Sequence, residues 1–386
     1  MDITRQGIIT LLKSAITGMP DSLPEGFDLG QAAAILKRHS IIPLAYLGAA
    51  QCGYSLAEPV MQQLFLSYRQ AAVHNDRQMK QVEALFRTFE THGIDYMPVK
   101  GCNLKALYPA PEVRPMGDAD ILIRLEQYPA IRPLMLELGF TESVESNHEL
   151  VWLSEHLMVE LHKRLIPSYN RDYYSYYGDG WKLAKFHNGH RFYMSHEDEY
   201  IYLFTHFAKH YRDGGIGLRQ LLDLWVFRRH YSGLDLHYVE KALKKMQLDE
   251  FFHNIMDVLD VWFCGAEETE KTAFISDFIF QSGSWGSSDS HRLAAIVKQK
   301  QSDPAASAWV HKFLLALFPP AQILSSRYPA LEKAPYLLPW FWLRRIFEKF
   351  FVKKGTIEHL TNLTPGRITE YEQALSYVGL GFHFHE

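Results

Sequence analysis

Residues 114–124 read Arg-Pro-Met-Gly-Asp-Ala-Asp-Ile-Leu-Ile-Arg, and this stretch limits the possible fold more than any other. Asp118 and Asp120 stand one residue apart, with Ile121-Leu122-Ile123 directly behind them. Residues i and i+2 diverge on a helix and share a face on a strand. A short apolar run after a glycine fits a buried strand, so the two carboxylates project together while Ile121 and Ile123 face a core. Two like charges held that way repel unless a cation lies between them, and oxygen ligands suit Mg²⁺. Mg²⁺ completes its shell with water and substrate phosphates, which points towards phosphoryl or nucleotidyl chemistry. A solvated turn or a cap would use the same two residues, so the neighbouring sequence has to decide.

Upstream, "IDYMPVKG" reads as a short buried strand that ends at Lys100-Gly101, and "NLKALY" as a short helix behind it. A strand-to-helix turn offers backbone N–H groups to an anion, and Lys100 adds a positive charge for phosphate. In the plain alternative, Gly101 only permits a tight turn and Lys100 is solvated. Arg114 can grip phosphate oxygens as a fork or lie in the surface loop "PAPEVRPMG". Downstream, "LMVELHKRL" places Glu160 inside an apolar strand. If that strand runs beside the Asp118–Ile123 strand, three carboxylates converge.

The wider pattern divides the chain into three. Residues 1–92 are helical in pattern: in "VMQQLFLSYRQAAVHNDRQMKQVEALFRTFETHG", Leu64, Ala71, Met79, Val82 and Phe86 fall near one stripe and Gly93 closes the helix. Residues 93–190 alternate strand and helix, with "YPAIRPLMLELGF" a helix, and "ELVWL" and "LMVELHKRL" strands joined at Ser154-Glu155-His156. Residues 191–386 return to helices. One starts at Ser195 with Asp198 three residues on, a capping-box signature, and breaks fall at Pro319-Pro320 and Pro335. The fold class expected is α+β, a small mixed sheet with helices flanked by helical regions.

The order of these motifs resembles the nucleotidyltransferase superfamily with a polymerase-β-like core, and within it an uncharacterised nucleotidyltransferase family. The resemblance rests on the Lys-Gly turn, "RPMGDADILI", "VELHKRL", "THFAKH" and "LRQLLDL". It covers roughly residues 30–230 well and is looser beyond, carried by "LFPP" and "SRYPAL". It implies that Asp118, Asp120 and Glu160 bind one or two Mg²⁺ ions, with Mn²⁺ as an alternative. It also implies that Gly101 stands at the triphosphate turn and that Glu160 helps activate an acceptor hydroxyl. An NTP would donate its nucleoside monophosphate and release pyrophosphate. The wider superfamily has serine after the glycine; here the residue is Cys102, preceded by Lys100.

His206 and His210 lie four apart on an expected helix, with Lys209 beside them. Three readings stand: a hydrogen-bonded pair, a cleft wall in which His206, Lys209, His210 and Arg219 meet phosphate or acceptor, or a zinc site completed by Asp223 or His162. Arg219 and Asp223 are also four apart and would form an intrahelical ion pair in the plain reading. The aromatic and basic "PYLLPWFWLRRIFEKFFVKK" is read as a helix packing Trp340, Leu343, Phe347 and Phe350 into a core, with a membrane-surface role the alternative. The tyrosines of "YNRDYYSYYGDGW" suit an acceptor cleft or a packed loop.

The 386 residues carry a net charge of -4, so no global charge favours a nucleic-acid partner. Cys52, Cys102 and Cys264 are far apart, which fits neither a disulfide framework nor a structural zinc. With no secretion signal in "MDITRQGIITLLKSAI" and no apolar run of about 18 residues, a cytoplasmic protein without a membrane span is expected. The acceptor is left open as a small molecule, a protein or an RNA end. Two other classes remain: a metal-dependent phosphohydrolase using the histidines and aspartates, and a non-catalytic nucleotide-binding protein.

Overall fold

The computed structural model describes residues 1–146, 148–167, 170–284, 334–347 and 365–381, with isolated positions between 286 and 297. They fall into two compact units, chiefly Met1–Tyr211 with Gly215–Gly286, and Arg212–Gly214 with Ser287–Phe384.

The first unit opens with four helices, α1 (Ile3–Thr17), α2 (Leu29–Arg38), α3 (Ile42–Gln51) and α4 (Pro59–Thr91). The Asp2 and Asp28 side chains cap α1 and α2 by accepting from backbone N–H groups of the first turn. In α4 the buried stripe runs Leu64, Gln78, Val82, Leu85, Phe89. It is turned slightly from the expected one, with Met79 and Phe86 half-buried at its edge. Gly93 follows with φ 69°, the left-handed conformation that ends the helix at no steric cost.

A seven-stranded mixed sheet follows, in the order β3-β4-β5-β2-β1-β7-β6. Its strands are β1 (Tyr96–Val99), β2 (Asp118–Ile123), β3 (Thr141–Glu145), β4 (Glu149–Leu153), β5 (Met158–His162), β6 (Lys185–Asn188) and β7 (Arg191–Tyr193). Helix α5 (Gly101–Leu104) leaves β1, α6 (Tyr128–Glu137) follows β2, and α7 (Arg171–Tyr177) follows β5. Strand β2 pairs antiparallel with β1 and parallel with β5. The period of two then sorts every residue of β2 and β5 between two faces. Ala119, Ile121, Ile123, Val159 and Leu161 enter a core with Val82, Leu85 and Phe89 of α4 and Ile131, Leu134 and Met135 of α6. Asp118, Asp120, Glu160 and His162 are left to share the other face. Ile121 is fully buried, so truncation to alanine would cost about 2–5 kcal/mol.

On that second face stand α8 (His196–Arg212) and α9 (Leu218–His230), with α10 (Leu236–Lys245), α11 (Asp249–Leu259) and α12 (Glu270–Ser282) beyond. The N-cap half of the expected capping box forms: the Ser195 hydroxyl accepts from the Asp198 backbone N–H at 3.2 Å and donates to the Asp198 carboxylate at 2.6 Å. Tyr173 and Tyr177 of α7 are buried, Tyr177 sharing a hydrogen bond with Thr205 at 2.9 Å, so this part of the tyrosine-rich segment is packed. Among the described residues no helix is long and apolar enough to cross a membrane.

In the second unit, described helices run Leu338–Phe347 and Pro365–Tyr377. The expected core role of the first needs correction. Trp340 and Leu343 are 65% and 63% exposed, and half-buried Leu338, Phe341 and Trp342 form the covered side instead. The "LFPP" and "SRYPAL" segments, Lys349 and Phe350, and the side chains of Arg345 and Phe347, lie outside the described residues.

Candidate active site

The register of β2 against β5 pairs Asp120 with Glu160 and Leu122 with His162. Because the strands are parallel, Glu160 and His162 rise on the same face as Asp120, two residues apart, as Asp118 and Asp120 are. Imidazole Nε2 of His162 lies 2.7 Å from Asp120 Oδ1 and 3.6 Å from Glu160 Oε2. From the other side, the Lys100 ammonium donates to the same Asp120 oxygen at 2.6 Å. Asp120 and His162 are only 2% and 3% exposed.

Lys100 reaches that oxygen because of its backbone. Strand β1 stops at Val99, and Lys100 turns the chain at φ 51°, a conformation that side chains other than glycine rarely adopt. Such strain persists only where the surroundings enforce it, and it gathers at functional sites. Gly101 comes next, and a Cβ there would lie 2.9 Å from both Arg114 Nη1 and Met116 Cγ. No side chain fits at that turn without moving buried groups.

Burial and charge set the protonation states. For Asp120, burial opposes ionisation, but Lys100 and His162 outweigh it and hold the carboxyl well below its ordinary range. Burial also works against the Lys100 charge, yet Asp120 raises its pKa above that of a free lysine. Asp118 is raised by burial and by Asp120. Glu160 is pushed up to about 8, by burial first and then by Asp120 and Asp118. Desolvation pushes half-buried Cys102 up to about 12, so this residue at the serine position is a neutral thiol.

These groups line one cavity of about 310 Å³, which holds Lys100, Gly101, Asp118, Asp120, Glu160 and His162 on the sheet side. His206, Lys209, His210 and Arg219 line it from α8 and α9. His206 and His210 approach each other, Nε2 to Nε2, at 3.0 Å. Burial, then Lys100 and His210, keep His206 well below its ordinary pKa, so it is a neutral imidazole.

Arg114 has a firm partner. Its Nε and Nη2 donate to the two oxygens of Asp223 at 3.1 and 2.8 Å, and Tyr108 donates to the same carboxylate at 2.8 Å. The expected Arg219–Asp223 pair within α9 is therefore replaced by a long-range one, and Arg219 Nη1 donates to the Pro115 carbonyl at 3.2 Å. The zinc reading gains no support, since among the described residues no third histidine, cysteine or carboxylate joins His206 and His210 within 4.8 Å. Among the described residues, the one group of three or more potential ligands within 4.8 Å of one another is Asp120, Glu160 and His162. That trio fits a divalent cation: two oxygens and a nitrogen, largely buried, on one rigid face. Asp118 lines the same cavity outside the trio.

Sequence reasoning did not find His148 and Glu149, which also line the cavity from the start of β4 and pair at 2.8 Å. Their signal was available: β4 is the hairpin partner of β5, so its first residues fall opposite His162. Tyr108 carried no comparable signal.

The profile of a family described as uncharacterised nucleotidyltransferase matches residues 25–264, more than half of the chain and all of the cavity. No curated protein and no solved structure matches it.

Proposed function

The chain belongs to the uncharacterised nucleotidyltransferase family, and on that premise we propose that it moves a nucleoside monophosphate from an NTP to an acceptor hydroxyl. The observation that carries this reading is the β2–β5 register, which sets Glu160 directly beside Asp120 on a cavity face. Asp118, Asp120 and Glu160 are the residues that would hold a divalent ion, Mg²⁺ or Mn²⁺. The ion would neutralise phosphate charge and favour departure of pyrophosphate. Lys100 and the Gly101 turn bind and orient the triphosphate, aided by Arg219 and Lys209 across the cavity. Arg114 uses two nitrogens on Asp223, which fixes the loop ahead of β2 and leaves Nη1 towards Gly101.

In the reaction the acceptor oxygen bonds to the α-phosphorus, the bond to the bridging oxygen of the β-phosphate breaks, and the hydroxyl proton passes to a base. Glu160 suits that role by position, since its carboxylate stands beside Asp120 on the cavity face. Little else is required of the protein beyond positioning and charge. The acceptor is a small molecule, a protein or an RNA end, and the protein acts in the cytoplasm.

One observation favours a second reading. The Lys100 ammonium stands where a cation would meet Asp120, as it would in a nucleotide-binding protein that had lost catalysis. Calorimetric titration of each of the four NTPs, with and without Mg²⁺, separates the two. Catalysis requires binding that depends on the ion and disappears in Asp118→Ala/Asp120→Ala. Ion-independent binding that survives the double substitution would establish the second reading and end the first.

A further inference from the structure

The metal ligands assigned by resemblance are all oxygens, yet the side chain closest to Asp120 on its own sheet face is an imidazole. His162 is 3% exposed, and its Nε2 is aimed between the carboxylates of Asp120 and Glu160. Two atoms bound at adjacent positions to one ion at about 2.1 Å are about 3 Å apart. The observed separations of 2.7 and 3.6 Å straddle that value.

A hydrogen bond to Asp120 is the plainer role for His162, and two observations weigh against it as the whole account. Asp120 Oδ1 already receives the Lys100 ammonium at 2.6 Å, so its charge is compensated without the histidine. The other ring nitrogen, Nδ1, is buried with no protein partner. No protein contact at Nδ1 therefore fixes the tautomer, and the form with the proton on Nδ1 leaves Nε2 unprotonated. Nε2 is thus able to present its lone pair to an ion.

We infer that His162 is a direct metal ligand through Nε2, beside Asp120 and Glu160, and that the site consequently selects a first-row transition ion such as Mn²⁺ over Mg²⁺. The inference rests on the proposed metal role of the same face. Mg²⁺ prefers an all-oxygen octahedron and gives up water reluctantly, whereas an imidazole nitrogen contributes more to the binding of Mn²⁺ and the later metals.

The test is pulsed electron paramagnetic resonance of Mn²⁺ bound to the full chain, alongside calorimetry with Mn²⁺ and Mg²⁺. The expected spectrum shows a nitrogen coupled directly to Mn²⁺, changed when the unaltered chain is grown with ¹⁵N-histidine and absent in His162→Asn. The substitution should lower Mn²⁺ affinity by more than about 100-fold, beyond the roughly 10–100-fold cost of losing an outer hydrogen-bond partner, and should lower Mg²⁺ affinity far less. Mn²⁺ binding that vanishes in Asp120→Asn but shows no nitrogen coupling would overturn the inference and leave the proposed metal site standing. A coupling that persists in His162→Asn and disappears in His206→Gln would overturn it too, by naming another histidine. Absence of binding by either ion, with and without nucleotide, would overturn both.

Discussion

The Lys100 ammonium sits 2.6 Å from Asp120 Oδ1, the oxygen that His162 approaches from the opposite side at 2.7 Å. An internal cation therefore holds part of the position that a divalent ion would take. Lys100→Met should raise affinity for free Mn²⁺ or Mg²⁺ by about tenfold or more, since hydrogen bonds between charged groups are worth about 1.5–3 kcal/mol. The same change should weaken NTP binding, because the released ammonium would no longer meet the triphosphate. Calorimetry reads both, and a fall in both affinities would show that Lys100 organises the ion site instead of competing with it.

Asp223 tests the structural side of the cavity. It is 5% exposed and neutralises Arg114, itself 7% exposed. Asp223→Ala should destabilise the protein by about 3–5 kcal/mol, because the guanidinium would stay buried without its partner. The double variant Arg114→Met/Asp223→Leu should recover most of that loss. Urea denaturation of the three proteins decides it; equal stability of the single and double variants would contradict the argument.

Gly101→Ala should cost about 1–3 kcal/mol by overpacking, since the new methyl would meet Arg114 and Met116 at 2.9 Å. The displaced turn should also weaken NTP binding more than it weakens binding of the free ion. Thermal melting and calorimetry on one preparation would separate the two effects.

Lys105 gives a pH dependence with a definite sign. The residue is 3% exposed, and its ammonium donates to the Arg114 carbonyl at 2.7 Å. Burial first, then Arg114, lower its pKa from the ordinary 10.5 to about 8. Between those values the unfolded chain binds the proton and the folded one does not, so this group makes stability rise with pH across that window. Below pH 8 both states are charged and its contribution is constant. The stability of wild type minus that of Lys105→Met, measured from pH 7 to 11, should climb between about 8 and 10.5; a flat difference would refute the assignment.

Much of this was legible from spacing. The Asp118–Ile123 strand, the β4–β5 hairpin and the α8 cap all follow from local chemistry that the chain carries within a few residues. Strand β3 was not visible because all five of its residues are exposed and show no alternation. The β6–β7 hairpin was missed although Asn188-Gly189 between Phe186 and Phe192 is a turn signal. The Arg114–Asp223 pair spans 109 positions, and no local pattern announces such a contact. His162 was legible in part: Glu160 and His162 repeat the spacing of Asp118 and Asp120. What the sequence lacked was the parallel register that makes the two pairs neighbours. The exposed Trp340 and Leu343 show the reverse limit, since a helix of mostly apolar residues does not announce which side is covered.

The parallel alignment of Asp120 with Glu160 has one more consequence. Slipping β5 by a single residue would carry Glu160 and His162 together into the greasy layer beneath the sheet and bring Val159 and Leu161 up into the cavity. The burial of Val159 and Leu161 is thus what lifts Glu160 and His162 to the cavity face, so the pattern that packs the core also presents the acids and the imidazole.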